Sequence, residues 1–177
     1  LIQELIDKMA AKGLTYEKDG AVWYKATEHG GEKDEVLIRA NGNPTYFAAD
    51  IAYHRNKFLR GYDTLIDVWG ADHHGHVARM KGAMDAVGMD GNNLNVVLMQ
   101  LVRLVRNGEI VRMSKRSGKA IALHDLLDEI SVDAARYFFN SRTPSTGLDF
   151  DLDLAVRQDG ENPVYYVQYA HARNCTL

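Results

Sequence analysis

The chain has 177 residues, 46% of them hydrophobic and 25% charged, with a formal charge of −3 at pH 7. These values place it in the soluble globular class, with length for one sizeable core and without an overall basic footprint for nucleic acid. No run of about 18 apolar residues is present, so no transmembrane helix and no membrane partner are expected. Cys175, the single cysteine, excludes an internal disulfide framework and fits a reducing compartment, so a cytoplasmic location is expected.

The first residues carry Leu1, Ile2, Leu5, Ile6 and Met9 on one face of an amphipathic helix, without the layout of a secretory signal. The chain starts within that helix and stops in a helical segment without a cap, which reads as a fragment. Two extended stretches, AVWYKA and EVLIRA, flank a polar Gly- and Glu-rich turn and predict a β-hairpin over 21–40. Asn41 to Pro44 is a loop by its turn chemistry. A helix follows, with Phe47, Ile51, His54 and Phe58 at helical spacing, ending at Gly61.

DTLIDVWGAD is expected to be a short, mostly buried strand, and HGHVARMKGAMDAVGM a helix with Val77, Met80, Met84 and Val87 inward. LNVVLMQLVRLV reads as one long strand or a strand running into a hairpin. Asn107-Gly108 between alternating flanks is the strongest short hairpin signal. Two helices follow the next loop, LHDLLDEI and VDAARYFFNSR, the second capped by Ser131. LDFDLDLA reads as loop or short helix, and NPVYYVQYAHARNC as a helix with Pro163 in its first turn. Strands alternating with helices predict an α/β fold: a Rossmann-like parallel sheet, incomplete with its first half missing, then helical material. In such folds ligands collect at the carboxyl ends of strands.

Three groups of residues carry chemistry. Arg103, Arg106, Arg112, Lys115, Arg116 and Lys119 gather six basic residues within seventeen positions, against one acid, Glu109. They form either a solvated basic loop or an anion clamp able to meet a polyphosphate. His73-His74-Gly75-His76 suggests a metal site, but neighbouring histidines at a strand end cannot all face one ion, so none is expected. A plain cap on the following helix stays open. Tyr46 and Asp50 stand four apart on one helix face and form either plain surface decoration, the usual role of such a pair in isolation, or a flat ring and a carboxylate that suit a guanidinium.

RMSKRSGK, residues 112–119, resembles the KMSKS loop of class I aminoacyl-tRNA synthetases, with Arg112 for the first Lys and Arg116 where the last Ser is usual. The resemblance implies that Met113, Ser114 and Lys115 contact ATP. Lys115, the catalytic candidate, would hold the β- and γ-phosphates as pyrophosphate leaves. HHGH does not stand for the HIGH motif of that class, which lies much farther ahead of KMSKS than the roughly forty residues here. VWGADHHGH instead resembles the Gly-x-Asp strand end that meets the nucleoside of ATP. It implies Gly70 and Asp72 at the ribose and adenine, His76 toward the nucleotide and His73 toward the amino acid.

NPTYFAADIAYHRNKF is similar, nearly end to end, to the bacterial-type arginyl-tRNA synthetase segment that reads the arginine side chain. Ordered likeness continues from DVWGADHHGH to NPVYYVQYAHAR, over about residues 30 to 177. The resemblance implies that Asp50 binds the guanidinium and Tyr46 packs beside it. It implies residues 1–155 as the second half of the catalytic domain with part of an insertion, and 156–177 as the start of the helical anticodon-binding domain. ATP with Mg²⁺, arginine and tRNA(Arg) are the implied ligands, and the full-length enzyme is expected to be a monomer. The isolated fragment is expected to be inactive. Two alternatives stand beside this: a non-catalytic RNA-binding module, to which Tyr46 with Asp50 gives no purpose, and another class I synthetase such as the cysteine enzyme, expected to carry a zinc-binding Cys/His set.

Overall fold

Helix α1 (Ile2–Ala11) presents Leu5, Ile6 and Met9 to the interior, as the spacing predicts, while Leu1 caps it in solvent. The structure, a computed structural model, describes residues 1–111 and 121–177. They fall into two compact units, residues 1–98 and 99–177, each with its own apolar core.

In the first unit β1 (Thr15–Lys18), β2 (Ala21–Tyr24) and β3 (Glu35–Ile38) make an antiparallel sheet in that order. The predicted β2/β3 pairing is present, with a short 3₁₀ turn at Ala26–His29 inside the connection. β1 is an addition to the sequence reading. Asp19 and Gly20 join it to β2 with φ of 53° and 73°, both left-handed, the two-residue turn that suits strand twist.

Helix α2 (Tyr46–Leu59) starts where Thr45 Oγ1 accepts from the Ala48 N–H at 3.3 Å and donates to the Val36 carbonyl at 2.7 Å. One residue thus caps the helix and ties its start to β3. Phe47, Ile51 and His54 are buried on its inner face, and Phe58 packs partly against the same core. β4 (Leu65–Gly70) differs from its expectation: Leu65 and Asp67 are buried, but Ile66 and Val68 are 66% and 61% exposed. An apolar run predicted burial of both faces, whereas only one face of β4 meets the core. Helix α3 (His74–Ala86) buries Met80 and Met84 and leads toward β5 (Leu94–Met99), the hydrogen-bonded neighbour of β4.

The long apolar stretch is two strands. β6 (Val102–Arg106) is in a different sheet from β5, where it lies between β7 (Glu109–Ile110) and β8 (Leu148–Asp151). β7 (Glu109–Ile110) pairs antiparallel with β6 around Asn107-Gly108, the predicted hairpin, with φ of 52° and 75° at the turn. α4 (Leu123–Glu129) and α5 (Val132–Asn140) follow, and Ser131 Oγ caps α5 as expected by accepting from Ala134 N–H.

LDFDLDLA is neither loop nor helix throughout: β8 (Leu148–Asp151) runs parallel to β6, then turns into α6 (Leu152–Val156). Its alternation sends Phe150 into the core and sets Asp149 against Arg103, so pairing with a distant strand decides its state. α7 (Pro163–Cys175) begins with Pro163 after Asn162, whose side chain accepts from Val164 N–H. The whole is α/β with a parallel strand pair and helical material after it. Among the described residues no helix is long and apolar enough to cross a membrane.

Candidate functional site

The first turns of α2 and α3, with the ends of β3 and β4, enclose two adjoining clefts in the first unit. The larger, about 620 Å³, is lined by Glu35, Tyr46, Phe47, Asp50, His73, His76 and Arg79 among others. The smaller, about 390 Å³, is lined by Tyr53, His54, Lys57, Trp69 and Gly70, and shares Asp50, His73 and His76 with the first. Four residues singled out from the sequence, Tyr46, Asp50, His73 and His76, therefore meet around one space.

Tyr46, at N1 of α2, is 87% exposed, and its ring is available to a ligand. One turn on, the Asp50 carboxylate is half exposed, with His76 Nε2 at 3.5 Å from Oδ2. The other carboxylates lining the larger cleft are engaged. Glu35 pairs with Arg79, and Asp34 accepts from Thr27 and from the Tyr16 hydroxyl. Asp50 is the acid placed to receive a cation.

His76 is largely enclosed, with Trp69 at 5.2 Å and Phe47 at 5.6 Å between ring centroids. Its Nδ1 accepts from Arg79 at 2.5 Å and 3.2 Å. Burial first, then the Arg79 charge, hold the imidazole below its ordinary range, against the opposing pull of Asp50. Arg79 also lies 5.0 Å from the Phe47 ring centre.

Beneath the smaller cleft, His54 Nδ1 donates to the Asp50 carbonyl at 2.8 Å, and Nε2 meets Asp67 Oδ2 at 2.5 Å. Lys57 pairs with the second oxygen of Asp67. Burial pushes the Asp67 carboxyl upward, but the Lys57 and His54 hydrogen bonds outweigh it and leave the carboxyl below its usual range. The helix turn that carries Asp50 is thus fastened to β4 from below.

Gly70 ends β4 with φ of −63°, a conformation open to any residue. A Cβ there would stand 2.5 Å from Asp72 Oδ1, the end of an exposed side chain free to swing aside, so the fold itself does not demand glycine at this position. Asp72 lies in the short 3₁₀ turn Ala71–His73, its carboxylate largely exposed and 3.8 Å from His73 Nε2. Met113, Ser114 and Lys115, with Arg112 and Arg116, lie outside the described residues.

The predicted basic cluster is changed by the fold. Arg103 is held by both Asp149 oxygens, at 2.6 Å and 2.9 Å, and Arg106 pairs with Glu129. Those acids are remote in sequence, so a count along the chain missed them. Sequence reasoning also missed Glu35, Trp69, Arg79 and Asp67. His54 on an apolar helix face calls for a buried partner, but nothing along the chain identifies Asp67 as that partner.

The family profile described as "tRNA synthetases class I (R), catalytic domain" matches residues 1–148. An arginine–tRNA ligase of Desulfitobacterium hafniense (strain DSM 10664 / DCB-2) is 62% identical over 176 residues, covering 99% of this chain and 31% of that protein. One of Caldanaerobacter subterraneus subsp. tengcongensis is 62% identical over 177 residues, covering 99% and 32%. A Campylobacter jejuni structure described as an arginyl tRNA synthetase superposes with a TM-score of 0.87 at 44% identity, covering 97% of this chain and 38% of that one. The Thermus thermophilus arginyl-tRNA synthetase superposes with a TM-score of 0.76 at 20% identity, covering 97% and 39%, a likeness of fold. The chain spans about a third of the length of the curated relatives it matches.

Proposed function

Because the chain belongs to the class I arginyl-tRNA synthetase catalytic-domain family, we propose that it supplies the arginine-reading and nucleotide-facing part of an arginine–tRNA ligase. The observation that carries this reading is the half-exposed Asp50 carboxylate, one helix turn from the open Tyr46 ring in a cleft shared with His73 and His76.

Asp50 receives the guanidinium of arginine, and Tyr46 packs beside it. Lysine would leave part of the carboxylate unpaired, at a cost of about 1–3 kcal/mol. His73 faces the amino acid. Gly70 and Asp72 face the ribose and adenine of ATP; His76, expected toward the nucleotide, also stands 3.5 Å from Asp50 and so borders both ligands. Met113, Ser114 and Lys115 contact the phosphates. Lys115 offsets the charge that grows on the β- and γ-phosphates as the arginine carboxylate attacks the α-phosphate and pyrophosphate departs. The arginyl group then passes from the adenylate to a ribose hydroxyl of tRNA(Arg).

Mg²⁺ accompanies ATP through its phosphates and water. Among the described residues no set of three or more His, Cys, Asp or Glu is arranged to hold an ion. Residues 1–155 belong to the catalytic domain and 156–177 open the helical anticodon-binding domain. The full-length enzyme works in the cytoplasm as a monomer, and the 177 residues alone do not ligate. The RNA-binding alternative gives Tyr46 and Asp50 no purpose, whereas arginine reading uses both.

The test is arginine-dependent ATP–pyrophosphate exchange, with tRNA present, by the full-length synthetase carrying this segment. Asp50→Asn should raise the KM for arginine by about tenfold or more. Lys115→Ala should lower kcat, with arginine KM little changed. No exchange with arginine would remove the reading, and unaltered arginine dependence in Asp50→Asn would remove the role of Asp50.

A further inference from the structure

His76 stands between two charged groups that make opposite demands on it. On one side Arg79 aims Nε and a terminal nitrogen at Nδ1, 3.2 Å and 2.5 Å away. A guanidinium is always protonated and has no acceptor, so Nδ1 must offer its lone pair. The single ring hydrogen of a neutral imidazole is then on Nε2, and Nε2 faces Asp50 Oδ2 at 3.5 Å. A ring turned over about Cβ–Cγ would set a carbon against Arg79 and lose both bonds. Arg79 in turn is anchored by Glu35 from β3 and lies over the Phe47 ring.

We propose that Arg79, clamped by Glu35, is a positioning residue for arginine recognition: it locks His76 in the tautomer whose Nε2–H faces Asp50, and so presents a neutral donor rather than a lone pair to the carboxylate that receives the substrate guanidinium. The proposal rests on the arginine-reading role of Asp50 given above. A neutral donor suits that task better than a cation. An imidazolium would neutralise Asp50 and compete with the substrate for it, whereas the N–H of a neutral ring at 3.5 Å favours the carboxylate on that side and leaves its charge in place. The opposite tautomer would turn a lone pair toward the carboxylate and push it aside.

The neighbours of His76 serve the same end. From α2 come Asp50, His54 and Phe47, from β4 Trp69, from the 3₁₀ turn His73, and from its own helix Arg79. Asp50 is the acid among them, and it faces Nε2. The orienting chain therefore runs Glu35, Arg79, His76, Asp50. It draws on β3, α3 and α2, three elements of one compact unit.

Nitrogen-15 spectra of the histidine-labelled chain at pH 7 test the tautomer directly. His76 should carry its proton on Nε2 with Nδ1 bare, and a protonated Nδ1 overturns the proposal without any substitution. Arg79→Met should mix the two tautomers and move the His76 titration upward. Arg79→Lys, which keeps a cationic donor, should restore the Nε2–H form. In exchange assays of the full-length synthetase, Arg79→Met should raise arginine KM about tenfold, a larger change than that in ATP KM, since His76 also borders the nucleotide. Arg79→Lys should recover most of that loss.

Asp50→Asn, run alongside, separates the two readings. If it leaves arginine KM unchanged, the arginine-reading role fails and takes this proposal with it. If it weakens arginine while Arg79→Met alters neither spectrum nor KM, the positioning role alone fails.

Discussion

Asp67 is 8% exposed and yet carries a charge, so its two partners decide whether it stabilises the fold. Lys57 meets one oxygen and His54 the other. Removing the carboxylate charge leaves the Lys57 ammonium poorly paired in a partly buried site. Breaking such an arrangement costs about 3 kcal/mol, and Asp67→Asn should lower the unfolding free energy in denaturant titrations by about that amount. The pH dependence has a definite sign. The folded carboxyl lies below its usual range, so its contribution is complete above the ordinary carboxylate titration near pH 4 and is lost as pH falls through the folded value. Stability of the unsubstituted chain should therefore decline on acidification below about pH 4. In Asp67→Asn that decline should be shallower, and equal acid slopes in the two proteins would exclude Asp67 as a source. His54 was legible from sequence as an inward helix residue. Its partner thirteen residues on was not, because nothing in LIDVWG distinguishes an inward from an outward aspartate until one face of β4 is known to be bare.

Thr45 and Gly82 show how single positions set the course of an element. Thr45 caps α2 and also bonds to β3, so Thr45→Ala should cost about 1–2 kcal/mol and loosen the turn that bears Tyr46 and Asp50. Calorimetry would report the loss, and a gain in Tm would contradict it. Gly82 sits inside α3, where alanine ordinarily stabilises by about 1 kcal/mol. Here a Cβ would overlap the His29 carbonyl oxygen. Backbone overlap costs about 1–3 kcal/mol, so Gly82→Ala should destabilise, against propensity. These elements differ in how readily a sequence reveals them. α2 and α5 announce themselves by spacing and by Thr or Ser caps. The Asn107-Gly108 hairpin does so by its turn, yet Asp19-Gly20 has the same left-handed pair, and β1 before it is too short and polar to mark a strand. β8 depends on β6 far back in the chain, and no local pattern carries that information. The candidate site divides likewise: Tyr46 and Asp50 share a helix face and could be paired by counting, while Glu35 and Arg79, forty-four residues apart, could not.

Two cores in one chain imply that damage to one is felt first where that core lies. Phe150 is fully buried in the second, and Phe150→Ala should cost that unit about 3–5 kcal/mol. Amide exchange should then accelerate across 99–177 and much less across 1–98. Uniform acceleration over both would show that the units unfold together. The parallel β6/β8 pair has a further consequence, one of timing. Arg103 and its partner Asp149 are separated by 46 positions, which a ribosome adding about 5–20 residues per second covers in roughly 2–9 s. For those seconds β6 is already made, and its eventual parallel neighbour does not exist. Residues 1–98, continuous in sequence, are complete before that wait begins. On the ribosome, therefore, the cleft that holds Asp50 can close while the second unit is still awaiting the strand that completes its sheet.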